Sequence, residues 1–188
     1  IRIKGNYNSA TDSISIDGEL PRIVYGNYTI SDVKLKVQNQ EDALGYNVNI
    51  GQIESDQFAL ARTTLTGDVK DNIINYNLQI TDRKEEEQYR IAGQLKASDK
   101  NTELILNPDG LKLNYEEWAI AQDNLLRFGE TGIYANNFEM SSESGSIKLQ
   151  SASDTPNAPL NVEMQSFKIE TLTNMVSKEE LKISGTMD

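Results

Sequence analysis

Strict alternation of apolar and polar residues, repeated along most of the chain, constrains the fold more than any other feature. Ile74, Tyr76, Leu78 and Ile80 fall on one face of an extended segment, with Asn75, Asn77, Gln79 and Thr81 on the other. Val33, Leu35 and Val37 alternate with Lys34, Lys36 and Gln38 in the same way, as do Leu44, Tyr46, Val48 and Ile50 with Gly45, Asn47 and Asn49. The period recurs through Tyr89, Ile91, Leu95 and Ala97, then Leu111, Leu113 and Tyr115, then Ile147 and Leu149, then Leu160, Val162 and Met164. Period two is the signature of a strand with one dry and one wet side. Antiparallel sheets allow that asymmetry; parallel sheets covered by helices on both faces do not.

Turn chemistry separates the runs. Asn107-Pro108-Asp109-Gly110 predicts a tight turn between Leu104–Leu106 and Leu111–Leu113, because proline fixes one φ and glycine accepts a positive one. Lys70-Asp71-Asn72, Asp82 to Gln88 and Asp99-Lys100-Asn101 have hairpin length, and residues 152–159 form the longest loop. From Glu170 to Leu181 the spacing changes: Leu172, Met175 and Val176 recur at helical intervals behind a Thr171 cap, which predicts one short helix near the C-terminus. The reading is all-β, an antiparallel meander of about a dozen strands in a single domain over residues 1–188. Both ends lie inside strand-like patterns, so the chain is expected to be a piece of something longer.

Composition narrows the chemistry. The 188 residues include no His and no Cys, which removes imidazole acid–base catalysis, thiol nucleophiles, disulfides and zinc sites built on those ligands. A formal charge of −11 without a basic stripe argues against nucleic acid. Glu116-Glu117 beside Trp118 has the composition of a glycosidase pair, but adjacent strand residues point to opposite faces and cannot share a cleft. Glu85-Glu86-Glu87 reads as a solvated hairpin loop. Asp12, Asp17 and Asp154 lie in no complete calcium loop. No enzyme, cofactor or metal is expected.

Asn is abundant, at 18 residues, and is disfavoured within strands, so Asn47, Asn49, Asn75 and Asn77 are assigned to a water-facing surface. The apolar stripe opposite has two readings. It is the core of two sheets closed as a sandwich, or the inner face of one long sheet folded over incompletely into an open trough for acyl chains. A transmembrane barrel needs the same alternation, but aromatic girdles are missing and aromatic residues are only 7%.

The run Thr102-Glu103-Leu104-Ile105-Leu106-Asn107-Pro108-Asp109-Gly110, continuing through Leu111-Lys112-Leu113-Asn114-Tyr115 and Glu117-Trp118-Ala119-Ile120, resembles the β-rich region of the TamB-like family in the AsmA-like superfamily, of the Bacteroidetes type. The likeness extends through Asp123-Asn124, Phe128 and Tyr134-Ala135-Asn136-Asn137-Phe138, then Ile147 to Ser151, Ala158-Pro159-Leu160, Phe167, Leu181 and Ser184-Gly185. It is looser at Leu20-Pro21, Tyr28 to Val33 and Leu65-Thr66-Gly67-Asp68. The resemblance implies a β-taco-like half-pipe with an apolar inner face, part of an envelope protein anchored in the inner membrane and crossing the periplasm. It implies a phospholipid or other acyl-chain guest, a role in outer-membrane biogenesis, and an Omp85-family barrel (TamA or BamA-like) as partner of the full-length protein.

On that reading Val48, Ile50, Leu60, Ile74, Tyr76, Leu78, Ile80, Ile91, Leu95, Leu104 and Leu106 line the groove, with strand parity able to slip at Gly51, Gly67 or Gly93. Two other functions use the same pattern: a scaffold that assists outer-membrane proteins by pairing at an open sheet edge, and a closed β-sandwich binding module built around Trp118. Open edges also predict pairing between copies of the chain.

Overall fold

The computed structural model describes residues 1–40, 42–56, 59–60, 62–168 and 186–187. They form eighteen strands: β1 (Arg2–Asn8), β2 (Ser13–Tyr25), β3 (Tyr28–Gln40), β4 (Ala43–Ile50), β5 (Gln52–Glu54), β6 (Ala59–Leu60), β7 (Thr63–Lys70), β8 (Ile73–Thr81), β9 (Glu87–Ala97), β10 (Asn101–Leu113), β11 (Glu116–Ile120), β12 (Leu125–Gly129), β13 (Gly132–Asn136), β14 (Phe138–Ser142), β15 (Gly145–Ser151), β16 (Leu160–Gln165), β17 (Phe167–Lys168) and β18 (Thr186–Met187). Among the described residues there is no helix; the helix expected between Glu170 and Leu181 lies outside them.

Sixteen strands belong to one antiparallel sheet that does not close on itself. Its path runs β1-β2-β3-β4-β7-β8-β9-β10-β11-β14-β15-β16, and four short strands branch from it. The branches have local causes. At Gly51 the partner of β3 changes from β4 to β5: Gly51 N–H donates to Ser31 O at 3.0 Å, and Asp32 opposite takes a positive φ of 56°. A Cβ on Gly51 would stand 2.9 Å from the Asp32 Cβ, so only glycine fits this bulge.

The second branch splits the sheet at β10. One edge of β10 pairs with β9 throughout, while the other pairs first with β12 and then with β11. Between those partners the side chain of Asn124 substitutes for a strand. Leu106 N–H donates to Asn124 Oδ1 at 2.8 Å, and Asn124 Nδ2 donates to Leu106 O and Ala121 O, each at 2.8 Å. A buried backbone amide left unpaired is costly, so a fully buried asparagine here satisfies the gap where two strands diverge.

The Asn107–Gly110 run does not reverse the chain, contrary to expectation. It is a four-residue excursion inside β10: Leu106 pairs with Gly93 and Leu111 with Ile91, leaving residues 107–110 opposite Ala92 alone. Pro108 and Asp109 protrude into solvent, and a Cβ on Gly110 would meet Ala92 O at 2.6 Å. The turn chemistry is real, but Leu111 and Leu113 rejoin the apolar face, and that burial keeps the strand on course. The reversal comes one step later, at Asn114 and Tyr115, whose φ values of 52° and 69° make a two-residue hairpin loop. Tyr115, expected in the strand, is therefore an exposed turn residue. Asp71 and Asn72, with φ of 50° and 62°, make the expected turn between β7 and β8.

Beyond the split the sheet curls onto itself. β13 packs against β15, with Ala135 N–H donating to Ser151 Oγ at 3.0 Å and Asn137 N–H to Gln150 Oε1 at 2.9 Å. The enclosed core holds Ile80, Tyr89, Leu106, Leu111, Leu113, Trp118, Ile120, Ala135, Phe138 and Phe167. Trp118 and Phe167 meet edge to face, with ring centroids 5.7 Å apart.

Candidate functional site

The register turns the alternation into continuous cross-strand rows. On the apolar side one row runs Gly18–Leu35–Val48–Leu65–Leu78–Ile91–Leu111–Trp118. A second runs Ile16–Val37–Tyr46–Gly67–Tyr76–Gly93–Leu106, and a third Leu44–Val69–Ile74–Leu95–Leu104–Leu126–Ala135. A shorter row, Ile50–Thr63–Ile80–Tyr89, borders them. Each row begins in the single layer of the sheet and ends in, or packed against, the enclosed core. The apolar face is open at the β1 end, where Ile3 and Tyr7 are 63% and 66% exposed, and shut at the other, where Trp118 is 2% exposed. Trough and closed core are thus successive parts of one surface.

Ten of the eleven expected groove residues lie in these rows, and Leu60 packs against the core from β6. They divide by cover. Val48, Ile50, Ile74, Tyr76, Leu78 and Leu95 are half-buried on the face. Leu60, Ile91 and Leu104 pack against the core, and Ile80 and Leu106 are inside it, at 3% and 5% exposure. Val33, Leu35, Val37 and Leu65 were not among the expected lining residues, although the 33–37 alternation contains three of them; their place becomes clear once Val33 pairs with Leu20 on β2, Leu35 and Val37 with β4, and Leu65 with β4. Strand parity slips at Gly51 but not at Gly67 or Gly93. Those two stay in register because a tyrosine from the adjacent strand lies beside each. A Cβ on Gly67 would fall 2.6 Å from the Tyr46 hydroxyl, and one on Gly93 would fall 3.1 Å from that of Tyr76. Tyr46 OH donates to Asn75 O at 2.8 Å, tying its ring across β7.

The opposite face carries equally continuous polar rows, Arg2–Glu19–Lys34–Asn49–Thr64–Gln79–Arg90–Lys112–Glu117 and Lys4–Asp17–Lys36–Asn47–Thr66–Asn77–Ala92. The asparagines lie on the polar side, but only Asn49 is exposed; Asn47, Asn75 and Asn77 are half-buried, and the Oδ1 of Asn77 is buried. Asn49 Nδ2 donates to Asn47 Oδ1 at 2.5 Å, and Asn75 Nδ2 to Asp68 Oδ1 at 2.8 Å. Toward the closed end the charges cross-link β9, β10 and β11. Arg90 reaches Glu117 at 2.5 Å, and Lys112 reaches Glu117 at 3.0 Å and Glu87 at 3.2 Å. Hydrogen bonding to Glu117 and Glu87 raises the Lys112 pKa. Burial pushes Glu117 up, but the bonds from Lys112 and Arg90 outweigh it and hold that carboxyl below its ordinary value.

The acidic residues noted in the sequence are placed apart. Glu116 lies on the apolar side, where Ser144 donates to it, while Glu117 lies on the polar side. Asp12 accepts from Tyr7 OH at 2.9 Å, Asp154 pairs with Arg127, and Asp17 sits mid-row on β2. Trp118 is enclosed and presents no ring face for stacking a sugar.

Depressions of about 510 and 410 Å³ lie on the polar side of the open end, the first bounded by Arg2, Lys4, Asp17, Glu19, Lys34 and Lys36, the second by Lys36, Gln38, Asn47, Thr66 and Asp68. No protein-family model, no curated protein and no solved structure matches this chain.

Proposed function

We propose that the open part of the apolar face carries acyl chains, and that the chain is a non-catalytic segment of a conduit moving phospholipid through the periplasm toward the outer membrane. The observation that carries this reading is the unbroken apolar surface from β1 to the core, exposed at Ile3 and Tyr7 on β1, half-buried at Leu35, Val37, Val48, Leu65 and Leu78, and fully buried at Ile80 and Tyr89. Each buried methylene contributes about 0.8 kcal/mol, so a fully enclosed chain of about ten carbons would be held too tightly to move on. A one-sided face weakens every contact and lets a guest slide between equivalent rows. The resemblance to TamB-like proteins points the same way and extends the proposal to an inner-membrane anchor and an Omp85-type barrel partner in the full-length protein.

Native mass spectrometry of gently purified protein, with lipid extraction from the same sample, tests this. We expect a co-purifying or added phospholipid that is lost in Leu78→Asp, a variant whose charge enters the middle of the open face, while the β-rich circular dichroism spectrum persists. A lipid-free mass that takes up neither phospholipid nor fluorescent fatty acid would overturn it.

A second reading rests on β1, whose seven residues are all exposed and which, among the described strands, pairs only with β2. Such an edge suits strand addition by an unfolded outer-membrane protein. Successive residues of an antiparallel strand point their N–H groups to opposite sides. Of Lys4→Pro and Gly5→Pro, the one that removes an outward N–H would therefore abolish edge pairing, whereas acyl binding would survive.

A further inference from the structure

The open end of the polar face holds six charges in two short cross-strand rows, Arg2–Glu19–Lys34 and Lys4–Asp17–Lys36. Each row has its acid on β2 and a cation on either side, and together they line the depression of about 510 Å³. Locally four cations face two acids, in a chain whose formal charge is −11. The asymmetry is regional: the first 40 residues carry five Lys or Arg and four Asp or Glu, against 13 and 25 in the remaining 148.

Neighbours of opposite charge in register normally close on each other. Further along the same row Arg90, Lys112 and Glu117 do so, at 2.5 and 3.0 Å. Among the described residues, none of the six charges at the open end makes an ion pair within 4 Å. All six are exposed and border the depression, so their hydrogen bonds are available to a ligand. The arrangement also selects among ligands. A simple anion lying between the flanking cations would sit over Asp17 and Glu19 and be repelled. A molecule with both signs, separated by about one strand spacing of ~4.8 Å, would meet its complement at each end.

We propose that this checkerboard binds a zwitterionic phosphate ester, a phosphate joined through a short linker to an ammonium group, as in phosphoethanolamine. The phosphate takes charge-assisted hydrogen bonds from the lysines of β3 or from Arg2 and Lys4 on β1, and the ammonium donates to Asp17 and Glu19. The local excess of cations favours a phosphate carrying more than one negative charge. This site lies on the opposite face from the acyl surface, and neither proposal depends on the other: Leu78→Asp leaves this site intact, and the substitutions below leave the acyl surface intact.

The test is a two-dimensional NMR titration of the whole 188-residue chain with O-phosphoethanolamine, glycerol phosphate and ethanolamine in turn. We expect saturable shifts confined to β1–β4, with O-phosphoethanolamine binding at least several-fold more tightly than either comparator, each of which carries charge of one sign only. Both Lys34→Gln/Lys36→Gln and Asp17→Asn/Glu19→Gln should weaken it, by roughly threefold for each charge removed at such separations in a wet site. Lys34→Arg and Asp17→Glu should retain binding. The acid-neutralising pair decides the matter, because it would tighten a plain anion site and loosen this one. Tighter binding in that pair, glycerol phosphate binding as well as O-phosphoethanolamine, or no saturable shift together with no binding to phosphatidylethanolamine vesicles would each overturn the proposal. The ligand comparison on the unaltered chain decides even where a variant misfolds. Binding to phosphatidylethanolamine vesicles without a response to the soluble ester, lost in both charge pairs, supports the site and identifies a lipid headgroup as the source.

Discussion

Tyr89 sits in the core with 2% of its surface exposed, and its hydroxyl is buried without a hydrogen-bond partner. Burial pushes its pKa up to about 12, and burial likewise raises Tyr46 and Tyr76. A native pKa raised above the unfolded value means the protonated form is favoured by folding. The stability tied to Tyr89 is therefore fully present below about pH 10 and is lost as pH rises toward 12. Circular dichroism from pH 9 upward should show alkaline unfolding in that window, shallower in Tyr89→Phe. The same variant removes an orphaned hydroxyl, so at neutral pH urea denaturation should give a stability equal to the parent's or about 1 kcal/mol higher. Asn124 is the opposite case, a buried polar group whose bonds are all used. Asn124→Ala would strand the N–H and C=O of Leu106, and we expect a loss of roughly 3 kcal/mol in urea. Neither role is visible in the sequence. Asn124 reads there as one of 18 asparagines, because the gap it fills exists only after β11 and β12 diverge from β10.

At the scale of elements, alternation predicted most strands and the faces they present, because side-chain direction along a strand depends on nothing beyond its own parity. Connections were less legible. Asn107-Pro108-Asp109-Gly110 has every local property of a turn, yet it loops out of a strand that continues, since the burial of Leu111 and Leu113 outweighs a four-residue preference. Asn114-Tyr115, without glycine, makes the reversal instead. Glycines were ambiguous for a similar reason. Gly51 marks a bulge, whereas Gly67 marks a close approach, with Asn75 O occupying the space of a Cβ at 1.8 Å. A side chain there must separate β7 from β8. Gly67→Val should therefore lower the thermal midpoint sharply, and hydrogen exchange should show lost protection in β7 and β8 first, while Gly26→Ala, in open space though at φ 59°, should cost far less.

For the whole molecule, the sequence left an open trough and a closed sandwich undecided, and the reason is physical: both bury the same stripe. The structure contains each in turn, because one sheet leaves its apolar face open at β1, then splits at β10 and encloses that face in a core that reaches back to Ile80 on β8. The expected lining residues were identified as a face but not by their cover, so Ile80 and Leu106 joined the list although they are core. The charge rows went unnoticed since their partners are separated by whole hairpins. On the function proposed above, acyl chains ride on the open apolar face. The most direct measurement is photo-crosslinking with a phospholipid carrying a diazirine in its acyl chain, followed by peptide mapping. Crosslinks should concentrate on Val48, Leu65, Ile74 and Leu78 and spare Asn47, Thr66, Asn75 and Asn77 on the same strands. Equal labelling of both sets, or labelling of the polar set alone, would contradict it.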